Sequence, residues 1–326
     1  MGRKSLVVLA LIAALLAAGY FWLQRTPEAP PAASARAPLL PSLQGRVAEV
    51  SAIEVDSPTQ PAVKLERQGA NWVVPAKAGY PAAPSAVGAL LRALVEARQV
   101  EAKTSNPQLH AQLGLAEQGE QRATRISLAL PDNPALALLV GKPAQQGGGQ
   151  LVRLLGDNQV WLIDKPISLP LEELQWLDRR VAAIDFASIQ QIELRYANGQ
   201  TLTVYRDKAE EPNFRVKQLP ADTKVQFEAA ANGMANLFGR LDFADAAPLA
   251  QIRFGEAPLL SFELRTFAGG QAKGALYGQG EQVWLTLPQR DGLSAEVLPG
   301  KPDWAYRIET QQADALTQAA KKLLGK

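Results

Sequence analysis

Among 326 residues there is one histidine, His110, and no cysteine. Those two counts remove thiol catalysis, zinc–thiolate sites, iron–sulfur clusters, disulfides and any metal site built from several histidines. A serine nucleophile activated by a histidine would have to use His110, yet the sequence contains neither G-x-S-x-G nor a Ser-x-x-Lys pair. His110 lies in NPQLHAQLGL and is expected to be a surface or capping residue. Gly147-Gly148-Gly149 is followed by Gln150-Leu151-Val152-Arg153. A phosphate loop would need a helix and Lys-Ser/Thr there, so a flexible hairpin loop is expected. Gly141-Lys142-Pro143 lacks the rest of a Walker motif, and no D-x-[DN]-x-[DN]-G calcium loop occurs. Carboxylates are plentiful, and only coordinates can show whether two of them share a groove. Asp178-Arg179-Arg180 is expected to be a solvated ion-pair set, with an inter-lobe or partner contact as the alternative. No catalytic, cofactor-binding or metal-binding residue is assigned from sequence.

The elements that would have to position any site show a repeat. Residues 158–164 are NQVWLID and residues 281–287 are EQVWLTL. Residues 51–67, SAIEVDSPTQPAVKLER, align with 190–206, QQIELRYANGQTLTVYR, so that Arg67 falls on Arg206. Ile192, Leu194 and Tyr196 alternate with Glu193 and Arg195, the period of a half-buried strand. Asn198-Gly199 predicts a tight type I′ hairpin. Asn71-Trp72-Val73-Val74 is matched by Asn213-Phe214-Arg215-Val216. A helix then follows in each copy, with Val87, Leu90, Leu91, Leu94 and Val95 on one face, and Phe227, Ala230, Ala231, Met234, Leu237, Phe238 and Leu241 on the other copy's face. Ser85 is the expected N-cap of the first helix. Further strands are predicted at 124–130, 135–140, 150–155 and 160–163, and again at 259–266, 272–277 and 283–287. On this reading the two QVWL segments are equivalent strands, and the second copy has one hairpin trimmed. The fold class expected is α+β: two tandem pseudo-repeated lobes of mostly antiparallel sheet, each with one long helix, preceded by a transmembrane helix.

The ends differ in kind. Residues 5–23, SLVVLALIAALLAAGYFWL, carry no charge. As a helix they would span roughly 28 Å, enough for a hydrocarbon core of about 30 Å. Arg3 and Lys4 precede the run, and Tyr20 and Trp22 end it, which predicts a retained anchor with the remainder outside the cytoplasm. A cleaved signal peptide is the alternative. Residues 26–45 are rich in Pro and Ala and are expected to be an extended tether. The lobes are then expected at 46–178 and 179–300, with a helical tail at 301–326 that packs on the second lobe. Three of the 34 basic residues, Arg3, Lys4 and Arg25, belong to the anchor region. The others balance the 32 acidic residues to within one charge, so no basic excess is left for nucleic acid.

The order of these features resembles a bacterial family. An amino-terminal apolar helix, I-E-V with K-L-E-R and N-W, the GALLRALVEARQVEA helix, LGL at 113–115 and VGK with GGGQLVRLLGDNQVWLI are similar to the domain of unknown function 4340. That resemblance implies a gene neighbourhood with a gliding-motility-type ABC transporter permease and its auxiliary subunit. It supplies no catalytic residues. The function expected is a non-enzymatic, single-pass protein of the bacterial inner membrane whose periplasmic ectodomain binds protein partners in an ABC transport or envelope system. Two alternatives stay open: a module holding polysaccharide, lipid or peptide between the lobes, and a hydrolase using two carboxylates.

Overall fold

The structure, a computed structural model, describes residues 36–131, 136–144, 148–220, 228–255 and 257–325. The expected anchor and residues 26–35 of the expected tether lie outside the described residues. Among the described residues no helix is long and apolar enough to cross a membrane.

Among the described residues nine strands form the first sheet: β1 (Ala52–Asp56), β2 (Val63–Gln68), β3 (Asn71–Val74), β4 (Tyr80–Pro81), β5 (Gln99–Ala102), β6 (Thr124–Ala129), β7 (Leu136–Pro143), β8 (Gln150–Leu154) and β9 (Val160–Ile163). All its strand pairs are antiparallel, in the order β4-β3-β2-β1-β6-β7-β8-β9-β5. Helix α1 (Pro84–Glu96) connects β4 to β5. A short pair, β10 (Arg180–Ala182) with β14 (Leu241–Asp242), brackets the start of the second unit. That unit holds β11 (Ile189–Tyr196), β12 (Thr201–Tyr205), β13 (Arg215–Val216), α2 (Glu228–Gly239), β15 (Asp245–Pro248), β16 (Leu260–Thr266), β17 (Gln271–Gln279), β18 (Gln282–Asp291) and β19 (Trp304–Ile308). Its sheet order is β13-β12-β11-β16-β17-β18-β19-β15.

Apart from the two-residue β4, the described strands of the two sheets are wired identically. Three strands meander to one edge, a helix crosses, the returning strand takes the far edge, and four strands run back to meet it. This corrects the equivalence drawn from QVWL. The first QVWL strand, β9, is the fourth of its meander and pairs with β5, whereas the second, β18, is the third and pairs with β17 and β19. The counterpart of β9 is β19, and no hairpin is trimmed. A strand's place is set by its partners rather than by its own string of residues. The boundary expected at residue 300 therefore cuts the second sheet, because Trp304–Ile308 is an internal strand between β18 and β15.

The helices hold by burial. In α1, Val87, Leu90, Leu91 and Leu94 are buried in the common core. Each such side chain contributes roughly 1.5–3 kcal/mol, far more than a helix of this length retains alone. The N-cap is Ala83 with Pro84 at the first turn, not Ser85; proline there needs no N–H partner. The tether expectation is also corrected in its described part. Leu39, Leu40 and Leu43 are buried, and Leu39 N donates to Ala97 O while Gln99 N donates to Ala37 O. The leucines override the proline content around them.

Other local expectations are met with altered detail. The hairpin at Asn198-Gly199 forms, but only Gly199 is left-handed, at φ 84°. Tyr196 N bonds Gln200 O, giving a three-residue loop closed by a glycine bulge instead of a type I′ turn. The carboxyl-terminal helix is broken into α3 (Thr310–Thr317) and α4 (Ala319–Leu324). At the break, the Tyr196 hydroxyl donates to Leu316 O at 2.8 Å and accepts from Ala320 N at 3.1 Å. A side chain inserted into the hydrogen-bond ladder accounts for it. Both helices pack against α2, as expected of a packed tail.

Candidate functional site

The seam between the units is aromatic. Tyr80 reaches it from β4, an edge strand with no counterpart among the described residues of the second sheet. Its ring lies 4.7 Å from Trp304, 5.4 Å from Phe243 and 6.4 Å from Tyr306. All four side chains are buried. Edge and tilted ring pairs of this kind add about 0.5–1.5 kcal/mol each beyond burial. Burial pushes the Tyr80 phenol above its ordinary range, and neighbouring Tyr306 adds to that push. Burial likewise pushes Tyr306 up to about 12.

Polar contacts pin the rim. The Lys77 ammonium bridges Glu173 at 3.8 Å and Asp245 at 3.0 Å, tying the first unit to the second. Ala83 N donates to Trp176 O and Asp178 N to Pro81 O, so the linker covers the free edge of β4. Lys301 sits 5.7 Å from the centre of the Tyr80 ring and 5.4 Å from that of Trp304, an ammonium held by two aromatic faces. It forms no ion pair with a described carboxylate.

Beside this rim is a groove of about 360 Å³ whose lining includes Gln68, Asn71, Trp72, Pro84, Asp178 and Lys301. The Asp178 carboxylate is clasped by Arg180, Nε to Oδ1 at 2.9 Å and Nη2 to Oδ2 at 2.8 Å. Those bonds hold its pKa below the ordinary carboxylate value. Arg179 Nε donates to Phe243 O at 2.6 Å. Asp178-Arg179-Arg180 is thus an ion pair whose backbone and neighbour fasten the two units together, combining both readings open at the sequence level.

His110 is buried, only 5% exposed, and its Nε2 lies 3.1 Å from Asn158 O. The surface reading is overturned and the capping one holds: His110 caps the short helix Pro107–Leu109 with its N–H on Pro107 O, and its ring fastens the loop before β6 to the turn before β9. Buried Arg153 assists, donating to Leu115 O, Asp157 O and the Glu117 carboxylate. A small apolar cluster of Leu115, Ala123, Leu139 and Val160 fills the space beneath.

The glycines are structural. Gly148 and Gly149 have φ of 74° and 91° in the β7–β8 hairpin, and a Cβ on Gly149 would strike the Ile163 carbonyl. Gly147 lies outside the described residues. Lys142 spends its N–H on Leu113 O and its ammonium on Gln112 O at 2.8 Å, which leaves no phosphate cradle at Gly141-Lys142-Pro143.

Two acids do share a depression. Glu193 and Glu263 are cross-strand partners on β11 and β16 and line it with Arg195 and Lys273. Arg195 pairs with Glu193 at 2.8 Å. Burial alone would raise the Glu263 carboxyl, but Arg265 at 2.6 Å and Lys273 at 3.5 Å outweigh it and hold the pKa down. A glycosidase acid needs the opposite, a carboxyl kept protonated. Among the described residues no group of three or more His, Asp or Glu could hold a metal ion.

Sequence reasoning missed Tyr80, Lys301 and the groove. The available signal was the aligned pair Asn71-Trp72 and Asn213-Phe214. Phe214 is buried, and the side chain of Asn213 accepts from Asn232 Nδ2 at 2.8 Å. At the matching place in the first unit Asn71 is exposed and Trp72 half-buried.

Comparison with known proteins gives one family. The family model described as a domain of unknown function, DUF4340, matches residues 72–272, from the third strand of the first sheet into β17 of the second. No curated protein matches. No solved structure matches.

Proposed function

Because the chain belongs to the DUF4340 family, whose role is undefined, we propose that it is a non-enzymatic accessory protein, anchored in the bacterial inner membrane by residues 5–23, whose periplasmic part docks protein partners of an ABC transport or envelope system. The observation that carries this reading is the filled seam. Tyr80, Phe243, Trp304 and Tyr306 fill the centre of the seam and leave a groove only beside its rim, so the two sheets offer a fixed surface. The uncharged run at residues 5–23 supports the anchor. The carboxylates that share a depression are neutralised by cations rather than poised as acid and base, which favours docking over hydrolysis.

The test is purification of the intact chain from detergent-solubilised membranes under mild conditions. Recovery of transporter permease or auxiliary subunits is the expected result. Recovery of the chain alone would count against the reading.

A further inference from the structure

The chain is gripped where it enters the first unit. Leu39 N donates to Ala97 O and Gln99 N to Ala37 O, both at 2.9 Å, so Pro38 bridges Arg98 as an extra rung beside the edge strand β5. Leu39, Leu40 and Leu43 are buried behind that rung. On its other side the Arg98 N–H meets the Asp164 carboxylate at 2.9 Å, and Arg98 O accepts from Asp164 N at 3.1 Å. Residue 37 is therefore a fixed point of the body.

Three cations lie around that point. In the register set by Pro38 and Arg98, Arg36 stands opposite Val100, so Arg36 and Arg98 share one face of the edge. Lys165 follows Asp164 past the end of β9. Neighbouring strands lie about 4.8 Å apart and residues about 3.3 Å along each, which puts the three Cα atoms within roughly 15 Å. Arg36 and Lys165 are exposed. The Arg98 guanidinium donates to the carbonyls of Val95 and Ala97. None of the three pairs with a described carboxylate. Of the nearby acids, Asp164 is spent on the Arg98 N–H, Glu101 is neutralised by Lys103 at 2.6 Å, and Glu96 lies one helical turn after exposed Arg92. This end carries a positive excess on a body that is otherwise close to neutral. Val100, 39% exposed, adds an apolar residue to it.

The sequence limits how far this end can stand from the expected anchor. Thirteen residues, 24–36, separate Leu23 from Ala37, and they span at most roughly 45 Å. A body of about 290 residues is itself roughly 50 Å across. The end that holds Ala37 is the part of the body kept nearest the bilayer.

We infer that this end is a docking surface for acidic phospholipid head groups, with Arg36, Arg98 and Lys165 toward the lipid phosphates and Val100 at the interface. Guanidinium and ammonium groups make charge-assisted hydrogen bonds to phosphate oxygens, and an anionic leaflet concentrates such groups in one plane. The inference rests on the anchor reading and adds to it the side of the body that is turned to the membrane.

The chain has no cysteine, so Val100→Cys in the full-length chain carries one environment-sensitive fluorophore. The labelled chain is reconstituted into vesicles of phosphatidylcholine, with and without phosphatidylglycerol. With phosphatidylglycerol present the emission shifts to the blue and is quenched by head-group spin labels, and high salt reverses both. Arg36→Gln with Lys165→Gln, at exposed positions that leave the fold intact, lowers the ratio of docked to undocked chain about 25-fold, roughly fivefold for each charge. Flotation of the chain with the vesicles is unchanged in that variant. A floating chain whose reporter reads the same with and without phosphatidylglycerol overturns the inference and leaves the anchor standing. So does a response unchanged by the two substitutions. A chain that floats with neither vesicle removes the anchor and the inference together.

Discussion

Arg67 and Arg206 hold the same place in the two sheets. Each follows the core-facing residues of the second strand and donates its backbone N–H to a residue at the start of the first, Arg67 to Ser51 O and Arg206 to Gln190 O, both at 2.9 Å. Each guanidinium reaches back to the turn before that strand, to Ala48 O in one unit and to Phe186 O and Ala187 O in the other. Each lies near an aromatic residue at the start of the third strand, Trp72 within β3 at 6.0 Å and Phe214 just before β13 at 4.6 Å. Only their surroundings differ. Arg206 is 2% exposed and donates as well to Ile189 O, Ala209 O and Glu211 O.

That difference sets unequal costs for the same substitution. A buried carbonyl left without a donor costs about 1–3 kcal/mol, so Arg206→Ala is expected to destabilise by at least about 3 kcal/mol. Arg67→Ala, half-exposed and making fewer bonds, is expected to cost about 1 kcal/mol. Urea denaturation of both variants measures this, and equal losses would contradict the account.

Two glycines should respond with opposite sign. Gly274 lies at the irregularity between β17 and β18, where a Cβ would meet the Thr286 carbonyl and come within 2.6 Å of the Phe262 ring. Gly274→Ala is expected to destabilise by about 1–3 kcal/mol through overpacking. Gly88 is inside α1, and a methyl group added there would have nothing within 4 Å. Gly88→Ala is expected to stabilise by about 0.5–1 kcal/mol. Thermal melting of the two variants separates these outcomes.

The carboxyl-terminal boundary gives a third expectation. Stopping the chain after Gly300 deletes β19, which pairs with both β18 and β15 and carries Trp304 and Tyr306 into the seam. Loss of the cooperative unfolding transition is expected. A truncation that melts like the full chain would show that β19 is dispensable.

Much of this framework was legible because its signals are local. Alternation in Ile192 and Leu194, the turn at Asn198-Gly199 and the apolar face of α1 each depend on neighbours a few residues away. The arginine alignment survived because Arg67 and Arg206 mark strand ends in register. The QVWL match failed because Trp161 and Trp284 sit in strands of different rank, and rank is decided by pairing partners far along the chain. The seam and groove were hidden for the same reason: Tyr80 and Lys301 are far apart in the chain and meet only through the fold. His110 looked like a surface residue because nothing near it in sequence announces Asn158 O.

The seam also predicts a response to alkali. Tyr306 has an ordinary value of 10.0 and is pushed up to about 12 in the fold, chiefly by burial. Between those values the folded chain keeps a proton that the unfolded chain releases, so unfolding releases a proton and rising pH favours it. Stability from this group is complete below pH 10 and declines as pH rises to 12, a loss of roughly 2–3 kcal/mol. Tyr306→Phe should flatten that decline in denaturation midpoints measured across the window. An unchanged slope would place the alkaline sensitivity elsewhere.

The central claim is that the two-sheet body stands outside the cytoplasm on an amino-terminal anchor. The chain has no cysteine, so a single Asn198→Cys at an exposed turn gives one thiol and one signal. Labelling with a membrane-impermeant maleimide is measured in cells whose outer membrane has been permeabilised and whose inner membrane is intact. The account predicts labelling before lysis and a labelled chain that sediments with membranes. Labelling only after the inner membrane is broken would contradict it.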